Sequence, residues 1–195
     1  MRKLLFAIVL AFLAGQTFAH PHVFADVKVK IMYDKAGFCG ILNHWVFDEI
    51  YSAGMVASVD KNGDGKLSAE EGKGLEAAIL DPIAKSNYYN YVQAGSEFLK
   101  VLNIKKFKAS FVKGKLVLDF VSEFSKPAGA DWTMLVVVVG DPSNYIQMTS
   151  DMENAEVDSP ATLEVEYFSD AIDGLTLFKA FRPEIEGLYL RYKKK

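Results

Sequence analysis

Cysteine and histidine are scarce in this sequence. Cys39 is the one cysteine among 195 residues, and the chain has three histidines. A single cysteine forms no disulfide within its own chain, and it cannot supply the thiolate cluster of a structural zinc site. A transition-metal site made by this chain would therefore use imidazole and carboxylate groups, which suit zinc, nickel or copper.

An excess of positive charge is also lacking, as are the short motifs of common enzyme classes. The formal net charge is −3, which argues against nucleic acid as a partner. The sequence contains no G-x-S-x-G elbow and no H-E-x-x-H helix, and no pairing of a nucleophile with a base is evident. We therefore expect that the protein is not an enzyme. A copper oxidase that uses an N-terminal histidine is the least favoured alternative.

Long apolar runs are confined to the first nineteen residues. Arg2 and Lys3 precede an apolar stretch at residues 4–15, and Thr17 and Ala19 place small side chains before a cleavage point. This layout is typical of a cleaved secretory signal peptide, and the run is shorter than the roughly 20 residues of a membrane span. We expect residues 1–19 to be removed, the mature chain to begin at His20, and the mature protein not to span a membrane.

Residues 20–195 are expected to form a single β-rich domain of the α+β class. Strand alternation over residues 23–33 and a turn at 34–37 predict a hairpin with residues 38–47. Turns at residues 95–97 and 113–115 predict two further hairpins, and the apolar segment 132–140 predicts a buried central strand. We expect about nine strands in a sandwich-like arrangement.

Helical spacing interrupts the strands after the first hairpin. It covers residues 48–59 and 69–85, with the second helix broken or bent near Pro82. The loop between them, residues 60–71, reads DKNGDGKLSAEE. We therefore expect an EF-hand-like helix–loop–helix at about residues 48–85.

This loop has a suitable residue at every position that an EF-hand calcium site requires. The ligand positions 1, 3, 5, 7, 9 and 12 hold, in order, Asp60, Asn62, Asp64, Lys66, Ser68 and Glu71. Lys66 contributes only its backbone carbonyl, and Gly65 permits the sharp turn at position 6. The alternative is an ordinary turn, because Ser68 and Glu71 also match a capping box. A bare turn does not require Asp60, so we expect calcium at this loop, where a lone site stabilises the fold rather than acting as a switch.

The three histidines lie near the expected new N-terminus. Cleavage before His20 gives that residue a free α-amine beside its imidazole, and alternation places His22 on the same side of an extended chain. Pro21 has no N–H, which excludes the amino-terminal copper motif that uses backbone amides. We expect His20 and His22 to bind a transition metal. His44 is the weaker candidate, because a simple hairpin pairs it near Lys28, about 20 Å from His22.

Several segments together carry a resemblance to a known family. They are HPHVF after the signal, HWVFDEIYS from His44, the loop DKNGDGKLSAEE, and the later YYNYV and GDPSNY. In this order they resemble the bacterial periplasmic family of unknown function numbered one thousand and seven. His20, His22 and the loop ligands match family motifs, whereas Asn144 replaces an aromatic residue of the family, so no role is carried over to Asp141.

The resemblance implies a function and a location. The family is described as the periplasmic component of an uncharacterised ABC-type transport system, and its members are commonly encoded near nickel, cobalt or zinc transporters. It implies a periplasmic protein that handles divalent metal ions, with an inner-membrane metal transporter as partner.

Two functions are therefore expected, the first favoured over the second. The first is a periplasmic metal-binding accessory protein that captures or delivers zinc, nickel, cobalt or copper for a membrane transporter and carries a structural calcium site. The alternative is a calcium-stabilised protein-interaction module in which the histidines are incidental. Tyr88, Tyr89 and Tyr91 could supply its contact face, although packing in the core accounts for them equally well.

Overall fold

The computed structural model describes residues 23–181 and 185–195. The expected signal peptide and the expected ligands His20 and His22 lie outside these residues. In the part of the chain that is described, eleven strands form two sheets around one core. The expectation of a single β-rich domain is confirmed.

The strands are β1 (Val23–Tyr33), β2 (Gly37–Phe47), β3 (Asn90–Ala94), β4 (Glu97–Leu99), β5 (Asn103–Val112), β6 (Lys115–Pro127), β7 (Thr133–Val139), β8 (Ile146–Ser150), β9 (Glu156–Asp158), β10 (Leu163–Ala171) and β11 (Glu186–Lys194). The α-helices are α1 (Glu49–Val59) and α2 (Ala69–Ile83), and 3-10 helices lie at Ala84–Tyr89 and Thr176–Phe178.

The first sheet has the strand order β5-β6-β2-β1-β8, and β9 also pairs with β1. β1 and β2 form the predicted hairpin, in which Lys28 lies opposite His44. β8 and β9 both run parallel to β1. Parallel pairing between distant segments leaves no local pattern in the sequence, so these neighbours of β1 were not predicted.

The second sheet has the order β10-β11-β7-β3-β4, which places β7 at its centre. Leu135, Val137 and Val139 face the shared core, and Val138 is buried on the opposite face against Ile172. Burial on both faces explains why this strand reads as an unbroken apolar run. The predicted central strand is confirmed.

Inward-facing side chains of the two sheets build the core. Along β1 every second residue is buried, from Val23 to Tyr33. Trp45 of β2 is fully buried and packs edge-to-face on Phe120 of β6, with ring centroids 4.9 Å apart. Each large apolar side chain buried in this way stabilises the fold by about 1.5–3 kcal/mol.

The two α-helices pack against this core. Leu75, Ile79 and Leu80 of α2 are buried in it. Ser52 of α1 accepts a hydrogen bond from the Leu116 N–H at 2.8 Å and so anchors α1 to β6. Among the helices of the described segments, none has both the length and the apolar character that crossing a bilayer demands.

The helix bounds follow the sequence signals closely at three ends. Asp48 caps α1 by accepting the Tyr51 N–H at 2.9 Å, and Ser68 caps α2. The fourth end differs, because α2 stops at Ile83, two residues earlier than expected, and Pro82 lies within its last turn. The chain then continues as a 3-10 helix whose final residues have left-handed backbone angles.

Candidate metal-binding loop and histidine pair

The candidate loop lies between the C-terminal end of α1 and the first turn of α2. Glu71 and Ser68 form the capping box, with the Ser68 N–H donating to Glu71 Oε2 at 2.8 Å and the Glu71 N–H donating to Ser68 Oγ at 3.3 Å. Glu71 Oε1 accepts a further bond from the Lys61 N–H at 3.1 Å. This second bond spans ten residues, so Glu71 joins the end of the loop to its beginning.

The carboxylate of Asp60 organises the first half of the loop. Its Oδ1 accepts the N–H of Gly63 at 2.8 Å, and its Oδ2 accepts the N–H of Gly65 at 2.9 Å. Gly65 has a φ of +68°, in the left-handed region where a side chain is disfavoured. The sharp turn predicted at position 6 is therefore present.

Asn62 and Asp64 also direct their oxygens toward the backbone of the loop. Asn62 Oδ1 accepts the Asp64 N–H at 3.1 Å, and Asp64 Oδ1 accepts the Lys66 N–H at 2.8 Å. The Asn62 amide nitrogen donates to Asp64 Oδ2 at 3.2 Å. The loop thus winds around the side-chain oxygens of its first, third and fifth positions.

Hydrogen bonding favours the ionised form of Glu71. The Ser68 N–H and hydroxyl, followed by the Lys61 N–H, lower the pKa of Glu71 below its usual value. An exposed ion pair between Lys61 and Glu70, 3.7 Å apart, contributes little. Glu71 is therefore held in the ionised form that a calcium ligand requires.

Within the described residues, no three acidic, histidine or cysteine side chains converge closely enough to surround an ion. In the loop, the carboxylates of Asp60, Asp64 and Glu71 are hydrogen-bonded to backbone N–H groups instead. A carboxylate oxygen has two lone pairs and can accept a hydrogen bond while it coordinates a metal. The donor set is all oxygen and fits calcium, and binding would require these carboxylates to turn toward a common centre.

His44 lies on the outward face of the first sheet and contacts Asp119 on the neighbouring strand. His44 Nδ1 is 2.7 Å from Asp119 Oδ1, and both side chains are about two-fifths exposed, at 43% and 38%. In the neutral ring, donation from Nδ1 leaves the Nε2 lone pair free. A carboxylate that orients a histidine in this way is common behind metal-ligating histidines.

This pair of His44 and Asp119 was not identified from the sequence. Only the register of β2 against β6, which places Asp119 opposite His44, identifies it. Lys28 of β1 lies opposite His44, and Lys108 of β5 lies opposite Asp119. The positive charge of these two flanking lysines disfavours a cation there. The β1–β2 register pairs His44 with Lys28, in the middle of β1, as a simple hairpin predicts.

Asp48 lies beside the start of β1, as the hairpin register predicts. Its Oδ2 accepts the Phe24 N–H at 2.9 Å, and its own N–H donates to the Phe24 carbonyl at 2.9 Å. Partial burial disfavours the charged form of Asp48, but the N–H groups of Phe24, Tyr51 and Ile50 outweigh it, so its pKa lies below the usual value. An ionised carboxylate thus stands at the first residues of β1.

The aromatic run at residues 88–91 packs largely against the rest of the fold. Tyr89 is buried, and Tyr91 packs edge-to-face on Phe98 and Phe181, with ring centroids 5.8 and 5.0 Å away. The core-packing alternative is therefore confirmed for Tyr89, whereas Tyr88 and Tyr91 are half-buried and a contact face there stays a prediction.

Comparison with known proteins gives a family and no activity. The family model described as "Protein of unknown function (DUF1007)" matches residues 5–169. An uncharacterised 15.5 kDa protein in the trpE 3′ region of Spirochaeta aurantia is 32% identical over 66 residues, which cover 34% of this chain and 47% of that protein. The match thus spans about half the length of that curated relative.

Proposed function

We propose a function for this chain, which belongs to the DUF1007 family of proteins of unknown function. It is a periplasmic metal-binding accessory protein with a structural calcium site. The network of hydrogen bonds that closes loop 60–71 through Glu71 carries the proposal. The transition-metal role rests on the histidines and on the family resemblance.

The calcium site is an EF-hand-like unit formed by α1, the loop and α2. Calcium would be held by side-chain oxygens of Asp60, Asn62, Asp64 and Glu71, by the Lys66 carbonyl, and by Ser68 through water. Extracellular sites of this type bind at about 10⁻⁴ to 10⁻³ M. Both helices are packed on the core, so an ion that joins their ends stabilises the native state and not the unfolded chain.

Isothermal titration of the full chain with calcium tests this site. Glu71→Gln removes the carboxylate that closes the loop, and we expect it to weaken calcium binding at least about tenfold, which corresponds to 1.4 kcal/mol. Lys66→Ala is the matched control, because position 7 provides only a backbone carbonyl, and its affinity should equal that of the wild type. Equal affinities for Glu71→Gln and Lys66→Ala would rule out the proposed coordination.

The transition-metal site is proposed at His20 and His22, at an N-terminus created by removal of the signal peptide. The family resemblance supports it, as does the ionised Asp48 beside Phe24 at the start of β1. His44 and Asp119 form a separate pair on the outward face of the first sheet. We propose that the ion bound at the N-terminus is passed to or from a membrane metal transporter.

Zinc, nickel and copper titrations of the exported protein separate the two histidine positions. The double variant His20→Ala/His22→Ala should lose tight binding, whereas His44→Ala should keep it. Loss in His44→Ala alone would move the site to the face of the first sheet, and retention in both variants would remove the transition-metal role.

An interaction module remains the second candidate because apolar side chains are exposed on the second sheet. Phe168 is 60% exposed and stacks on Tyr189 with ring centroids 5.0 Å apart, and Met134 is 69% exposed. Capture of a membrane partner that depends on Phe168 and is insensitive to loss of the histidines would favour this function.

A further inference from the structure

A strained segment follows the second helix of the proposed calcium unit. α2 leads into the 3-10 helix Ala84–Tyr89, in which Asn87, Tyr88 and Tyr89 have φ values of 53°, 52° and 56°. Left-handed angles at three successive non-glycine residues are costly, and they persist only where the surroundings impose them. Tertiary contacts therefore hold this segment in place.

Two asparagine side chains make some of the tertiary contacts that fix this segment. Asn87 Oδ1 accepts the Val101 N–H at 2.8 Å, and Asn87 Nδ2 donates to the Leu99 carbonyl at 3.1 Å. Asn90 Nδ2 donates to the Tyr88 carbonyl at 2.7 Å. The 3-10 helix that follows α2 is thus fixed to the end of β4 and to the start of β3.

Tyr89 connects this segment to other parts of the fold. Its ring stacks on Trp45 with centroids 6.4 Å apart, and its carbonyl accepts the Gly140 N–H at 3.0 Å. Its hydroxyl lies near the carboxylate of Asp141. Burial and the neighbouring Asp141 raise the pKa of Tyr89 far above its usual value, so its hydroxyl remains a donor.

Asp141 forms part of the wall of a cleft of about 500 Å³. It is 7% exposed, and its carboxylate accepts the N–H groups of Ser143, Tyr145 and Ile146 at 2.8, 3.1 and 3.0 Å. These bonds shape the connection from β7 to β8, which continues as a further wall of the cleft. A displacement of Asp141 would therefore change the form of the cleft.

We propose that calcium binding at loop 60–71 is coupled to the conformation of this cleft through Tyr89. The inference rests on the calcium site proposed above. An ion that fixes Glu71 fixes the first turn of α2, and a helix moves as a unit, so its opposite end is constrained as well. The 3-10 helix Ala84–Tyr89 follows α2 directly, so the constraint extends to Tyr89 at its end. The contacts of Tyr89 then extend it to Gly140 and Asp141.

Hydrogen–deuterium exchange of the full chain, measured with calcium and with chelator, tests the coupling. Calcium should slow exchange in residues 60–71, and also in residues 140–151 by about fivefold or more, the lower end of ordinary coupling between sites. Tyr89→Phe removes the hydroxyl that lies near Asp141, and it should keep the response in the loop but lose most of it in residues 140–151. Tyr88→Phe, the matched control at the preceding residue, should keep both responses.

Each outcome decides one part of the proposal, once circular dichroism has shown that the variants are folded. A wild-type response in the loop without one in residues 140–151 overturns the coupling and leaves the calcium site standing. No response in the loop overturns the calcium site and the coupling together. An equal response of the two tyrosine variants in residues 140–151 overturns the role of Tyr89.

Discussion

Glu71 combines a helix cap and an expected metal ligand in one side chain. Its capping bond to Ser68, which the sequence indicates as the alternative to a calcium site, is present together with a bond to Lys61 at the start of the loop. Calcium coordination by the same carboxylate stays a prediction. Both roles need the ionised form, and this links the stability of the loop to pH.

Glu71 should make the calcium-free protein sensitive to acid. Because its folded pKa lies below the unfolded value of 4.5, its contribution to stability is fully present above that pH and is lost as the pH falls through the folded pKa. Urea unfolding in chelator from about pH 6 to about pH 3 should show a smaller decline for Glu71→Gln than for the wild type. Parallel declines would show that the carboxylate is not stabilised by folding.

Asp141 and Asp119 should differ sharply when each is replaced by alanine. Asp141→Ala removes the carboxylate that accepts the buried N–H of Ile146 and the partly buried N–H groups of Ser143 and Tyr145, and we expect a loss of about 3 kcal/mol in unfolding free energy. Asp119→Ala breaks a half-exposed pair with His44 and should cost less than about 1 kcal/mol. Similar losses in urea denaturation would contradict the structural role assigned to Asp141.

At the level of elements, the sequence predicts those features that depend on interactions between residues close together in the chain. The alternation of β1, the returning strand β2 and the capping box at Ser68 each correspond to a feature of the structure. The parallel pairing of β8 and β9 with β1 and the left-handed segment at Asn87 depend on distant contacts. Neither leaves a periodic pattern, so neither could be predicted from residue spacing.

A substitution at the turn of the β5–β6 hairpin tests whether the turn needs the backbone freedom of glycine. Lys113 and Gly114 at its tip have φ values of 51° and 79°, and a Cβ on Gly114 would meet open space. Gly114→Ala should therefore destabilise by about 1–2 kcal/mol through backbone strain alone. The same change at Gly54, inside α1 and also in open space, should stabilise by about 1 kcal/mol. Thermal unfolding should show shifts of opposite sign, and shifts of the same sign would contradict this account.

For the whole molecule, the central claim is that a lone cation joins the two helices that pack beside a two-sheet core. The β-rich architecture was predicted from composition and alternation, because burial of one strand face fixes the period of two. The ion was predicted from spacing alone, and the loop geometry is compatible with it without testing it. The helices contribute Leu75, Ile79 and Leu80 to the same core as the sheets, so stabilisation at the loop should be felt by the entire domain.

Thermal unfolding of the full chain in chelator and in about 10 mM calcium tests this claim most directly. For a dissociation constant of about 10⁻⁴ to 10⁻³ M, the gain is about 1.4–2.7 kcal/mol, or roughly 3–10 °C in Tm for a domain of this size. The account predicts a rise of that order in the wild type and in Lys66→Ala, and a rise in Glu71→Gln that is smaller by about 1 kcal/mol or more. A wild-type Tm that is the same with calcium and with chelator would contradict it.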